Sequence, residues 1–168
     1  IGFCLMNLGR LRESVPFYER AATGYLEDKN WGYASMEYQN LADLHAQLGA
    51  LDKNADAARQ ALDLSRKAED KDRERRSIIY QAWTLHLVGN TELASKKFSE
   101  AEDIEKKENS VQFLTRNSGI GHAIHLLKVG DTDYARRVTE FNLQYCERSH
   151  WHFLVSMCHR VLGDLDFD

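Results

Sequence analysis

Cys146, His150 and His152 stand as C-x3-H-x-H, and His122 and His125 fall three residues apart, on one face of any helix that carries them. Thiolate and imidazole are the ligands zinc prefers, but a structural zinc site takes four of them, usually in paired short spacings. No second pair stands near the first, so no metal is expected. Catalytic signatures are missing as well: there is no GxSxG, HExxH, phosphate-cradling glycine loop or GxGxxG. Glu100, Glu102 and Asp103 read as solvated carboxylates on the outer face of a helix, and no nucleophile stands with an identifiable base. On these residues the chain is not an enzyme and uses no cofactor.

The elements that would position such side chains are more informative. One proline in 168 residues is unusual, and a chain with so few helix breakers is most easily all-helical. A composition 43% hydrophobic and 29% charged is that of an ordinary globular chain with a sizeable core. With 22 basic and 26 acidic residues the net charge is −4, which argues against nucleic acid as a partner. No apolar run is long enough to span a bilayer, and no membrane partner is expected. Cys4, Cys146 and Cys158 are odd in number and lack CxxC spacing, so they read as reduced thiols of a cytoplasmic protein.

A glycine preceded by Leu or Val recurs at Gly9, Gly49, Gly89, Gly130 and Gly163, with spacings of 40, 40, 41 and 33. Seven residues before each glycine sits a small residue: Gly2, Ala42, Ala82, Ala123 or Ser156. Five after it come Ser14, Asn54, Ala94 and Ala135, and twelve after it Ala21, Ala61, Ala101 and Asn142. Each glycine is expected to end one helix in a left-handed conformation, and the small residues let two helices of a hairpin pack closely. An aromatic nine residues on, Tyr18 or Phe98, fills the gap between them. The turns between hairpins are polar instead, and Asn30, Asp72, Ser110 and Ser149 are the expected N-caps of the helices that follow.

This pattern resembles the tetratricopeptide repeat (TPR). Tyr38, Leu41, Ala42 and His45 fall where that family has its Trp, Leu, Gly and Tyr, and Ala94, Phe98 and Ala101 match its second helix. The closing proline is absent, Ala58 and Thr139 replace the wedge aromatic, and Gly119 and His152 replace the first aromatic. A period near 40 is similar to the long-repeat TPR arms of bacterial signalling proteins; HEAT solenoids share it, but the Gly and Ala registers favour TPR.

The resemblance implies an all-α, right-handed α-solenoid of antiparallel hairpins, a TPR-like superhelix whose first helices line a concave groove. Counting from each glycine, the stripe one, four, eight and eleven residues before it packs inside, and includes His45 and His159. The stripe three, six, ten and thirteen before it faces the groove: Met36, Gln39, Asp43, Ile79, Trp83, His86, Ile120, Ile124, Leu127, Phe153, Met157 and Arg160. Phe3, Met6, Ala46, Arg76, Asn117 and His150 complete it. TPR carboxylate clamps use Lys, Arg and Asn, and the matching positions here hold Gln39, Asp43, Ile79, Trp83, Ile120 and Ile124, so no clamp is expected.

The expected function is therefore a scaffold that binds protein or peptide through an apolar groove. The alternative is a sensor or autoinhibitory arm of a larger signalling ATPase or transcription regulator. Residues 1–168 read as one repeat domain, with repeats near 1–29, 30–71, 72–109, 110–148 and 149–168, the outer two partial. Apolar residues at both ends suggest a piece of a longer array, able to self-associate end to end.

Overall fold

A computed structural model describes residues 1–167. Among them nine helices follow one another with no strand: α1 (Gly2–Asn7), α2 (Leu11–Glu27), α3 (Trp31–Gln47), α4 (Leu51–Lys67), α5 (Lys71–Leu87), α6 (Thr91–Asn109), α7 (Arg116–Val129), α8 (Thr132–Arg148) and α9 (His152–Asp166). No described helix is long and apolar enough to cross a membrane.

Gly9, Gly49, Gly89 and Gly130 all take φ between +70° and +83°, as the register predicts. At Gly49 the closing bonds run from the Gly49 N–H to the Ala46 carbonyl (3.0 Å) and from the Ala50 N–H to the His45 carbonyl (2.8 Å). This double closure satisfies carbonyls that the helix end would otherwise orphan. The polar turns do the same without glycine. Lys29, Glu69 and His150 sit at φ of +55°, +53° and +56°, and the Lys29 and Asn30 N–H groups close on Leu26 (3.1 Å) and Tyr25 (2.8 Å).

The chain divides into two compact units, Ile1–Asn90 and a second from Thr91 onward. In the first, α3 packs on α2 and α4, α4 packs on α5, and α3 also reaches α5. Its core joins Tyr18, Leu41, Ala42, Leu44, Ala57 and Ala58. The small register position Asn54 does more than fit: its amide donates to the carbonyl of Ala42 at 2.8 Å, tying α4 to α3. In the second unit α7 packs on α6 and α8, α8 packs on α9, and α7 reaches α9. Its core includes Phe113, Ile120, Ala123, Leu126, Ala135, Val138, Cys158 and Val161.

Three sequence expectations need correction. Gly163 does not end a helix; it lies inside α9, which runs on to Asp166. Cys158 and Val161 take the inner positions, 38 residues after Ile120 and Ala123, so the period persists where the glycine departs from it. In consequence Ser156 and His159, which the Gly163 register placed in the core, are exposed.

The N-caps also differ. Asn30 caps α3 as expected, accepting from the Tyr33 N–H, but Asp70 rather than Asp72 caps α5, accepting from the Arg73 N–H at 3.0 Å. Asp72 instead engages Arg75 and Arg76 at 2.6 and 2.8 Å. Ser149 closes α8, and α9 begins after Trp151. Ser110 caps nothing, because the chain runs irregularly to Thr115, burying Phe113 and Leu114 before α7 begins.

Gly119, in the first turn of α7, lets the preceding connection pass close to the helix. A Cβ at this position would collide with the Leu114 carbonyl oxygen and the Asn142 amide nitrogen. That amide donates to Leu114 and Val138 at 2.9 Å each, so the absent side chain makes room for a link between the connection and α8.

Candidate functional site

Within the second unit, α7 and α9 enclose a cavity of about 330 Å³ lined by Ile120, Ile124, Leu127, Lys128, Met157, Arg160, Val161 and Asp164. Positions 120, 124 and 127 recur at helical spacing and so share one face of α7; 157, 160, 161 and 164 do the same on α9. Ile120 is buried at the floor, while Ile124, Leu127 and Met157 are half-buried and open to the groove. The rim is charged. Arg160 and Asp164, one helical turn apart, are both exposed and form no ion pair among the described residues.

Five of the twelve expected stripe residues thus gather around one cavity: Ile120, Ile124, Leu127, Met157 and Arg160. Phe153 stands apart, 72% exposed near the start of α9. Val161 and Asp164 on α9, and Lys128 one position beyond the stripe on α7, also line the cavity and lie outside the predicted stripe.

The other stripe residues belong to the first unit. Gln39 is buried and spent on a neighbouring helix: its amide donates to the Ser77 hydroxyl at 2.9 Å and the Arg73 carbonyl at 3.3 Å, joining α3 to α5. Met36, Ile79 and Trp83 are half-buried, and buried His86 stacks on Trp83 with ring centroids 4.7 Å apart. Asp43 is half-buried; burial raises its carboxyl, against a hydrogen bond from Gln47. Burial, with the Asp43 charge, pushes the Tyr80 hydroxyl up to about 12.

The expected solvated carboxylates resolve into different environments. Asp103 is exposed and Glu100 pairs with Lys97 at 2.7 Å, but Glu102 is buried between three helices. It accepts from the Tyr134 hydroxyl at 2.6 Å and Lys106 Nζ at 2.7 Å, while His122 Nδ1 lies 3.4 Å from its second oxygen. Burial pushes this carboxyl up, but His122, Lys106 and Tyr134 together draw it down to about 2. Burial and the Glu102 charge raise the Tyr134 hydroxyl in turn.

His122 and His125 do share a face, and it is turned to Phe98, at centroid distances of 4.9 and 5.1 Å. Cys146 and Cys158 are both buried, and burial raises both thiols, Cys158 to about 12. His150 occupies the turn before α9 and His152 is exposed. Among the described residues no three His, Cys, Asp or Glu side chains gather as a metal-holding group.

Helical hairpins at a period near 40, with glycine-closed turns and small residues at the crossings, define a TPR-like repeat fold. The chain is similar over 98% of its length to the crystal structure of BtubC (BKLC) from P. vanneervenii, of which it covers 71%, with a TM-score of 0.70 and 16% identity. It is also similar to two crystal structures of the Podosopora anserina putative kinesin light chain nearly identical TPR-like repeats. Each gives a TM-score of 0.65 and 12% identity over 97% of this chain and 84% of that one. At such identities the likeness is one of fold. No family model matches the sequence, and no curated protein does.

Proposed function

We propose that this chain is a non-catalytic interaction module that takes a protein or peptide partner in the apolar groove between α7 and α9. The observation that carries the reading is the convergence of Ile124, Leu127 and Met157 on one open cavity. Apolar side chains left half-open beside a charged rim have the layout of an interface, with anchors at the centre and polar groups around them. The repeat fold supports the same reading, since stacked hairpins are commonly used as preformed binding surfaces.

Selection of binders from a displayed random-peptide library on the wild-type chain tests this. Ile124→Ala and Met157→Ala are each expected to weaken the selected peptides at least about fivefold, the loss of roughly 1 kcal/mol typical of a buried anchor. Lys96→Ala, on the exposed face of α6, is expected to leave them unchanged. Peptides insensitive to both groove variants would overturn the proposal.

A further inference from the structure

The groove rim also says what kind of segment should lie there. The floor is aliphatic, and its walls are helices whose own hydrogen bonds occupy their backbones. An extended peptide entering it would lose water from its N–H and C=O groups along the aliphatic floor and find replacement partners only at the charged rim. A helical segment carries those bonds within itself and presents only side chains. At 14 residues, α7 offers a wall about 21 Å long, enough for three to four turns of a partner helix.

Charge narrows the partner further. Arg160 and Asp164 put opposite charges one turn apart on the same wall, both exposed and neither used within the described chain. Lys128, on the facing wall, already has an interaction of its own. We infer that the α7/α9 groove takes an amphipathic helix of a partner protein, with apolar anchors four residues apart flanked by one acidic and one basic side chain. This rests on the groove reading above and adds the partner's secondary structure and charge pattern.

Three designed helical peptides sharing a Leu-x-x-x-Leu face test it: one flanked by Glu and Lys, one by two Lys and one by two Glu. A fourth carries the first sequence with a central Pro. Fluorescence anisotropy against the wild-type chain should favour the Glu/Lys peptide by about fivefold over both like-charged ones, the scale of one or two exposed ion pairs. Arg160→Glu, which leaves an acidic rim, should move the preference to the two-Lys peptide, and Asp164→Arg to the two-Glu peptide. Both substitutions are at exposed positions, and circular dichroism checks that the helices persist. The Pro peptide should bind at least tenfold more weakly. One rank order on all three proteins, equal binding of the Pro peptide, or no binding of any helix would overturn the inference. The library selection above decides separately whether the groove binds at all.

Discussion

The Tyr134 hydroxyl donates to the Glu102 carboxylate across 2.6 Å, joining α8 to α6 through a charge buried to 4% exposure. Removing one partner of a buried charge is costly because the other stays desolvated. Glu102→Gln is expected to cost about 1–3 kcal/mol at neutral pH, read as a lowered melting temperature.

The same carboxyl predicts a response to acid. Its folded value of about 2 lies below the ordinary glutamate value near 4.3, so the unfolded chain binds its proton first. Its contribution is therefore complete above the ordinary value and is lost as pH falls through the folded one. Between about pH 5 and pH 2 the wild-type chain should lose stability more steeply than Glu102→Gln, and the two melting curves should converge. Parallel curves would show that Glu102 is not held as the geometry implies.

Two glycine substitutions should have opposite signs. Gly119→Ala drives a methyl group into the Leu114 carbonyl and the Asn142 amide, and should destabilise by at least about 2 kcal/mol. Gly163→Ala, inside α9 with nothing within 4 Å of the added atom, should stabilise by about 0.5–1 kcal/mol. Chemical denaturation of both variants measures this; equal signs would contradict the placement of one of them.

Left-handed turns give another opposed pair. Gly49→Ala, at φ +70°, should cost about 1 kcal/mol, while Lys29→Gly, at φ +55°, should gain about 0.5–1 kcal/mol. The gain is smaller because glycine also loosens the unfolded chain.

Truncating the wedge aromatic tests the core. Phe98 is fully buried against His122 and His125, so Phe98→Ala should cost about 3–5 kcal/mol in the same measurement.

The hairpins were legible in the sequence where backbone geometry restricts residue choice. Gly49, Ala42 and Ala61 are constrained by a positive φ or a close helix crossing, and such constraints leave the same letter at the same register. Glu102 was not legible, because its burial depends on Tyr134, 32 positions away. Lys29, Glu69 and His150 hide their left-handed turns, since a long polar side chain carries no local mark of its φ. Gly163 misled for the converse reason: a glycine inside a helix looks the same in sequence as one that ends it. The groove was half visible, through Ile120, Ile124 and Leu127 on α7 and Met157 and Arg160 on α9, while Lys128, Val161 and Asp164 fall off the glycine-counted stripe.

In each unit a helix packs extensively only on the next helix of the chain or the one after it. Folding then closes only short loops, whose entropy cost is small, and such low-contact-order chains fold on the microsecond-to-millisecond scale. Synthesis at about 5–20 residues per second is far slower. Within each unit, packing can therefore advance helix by helix during synthesis, each new helix meeting one already made.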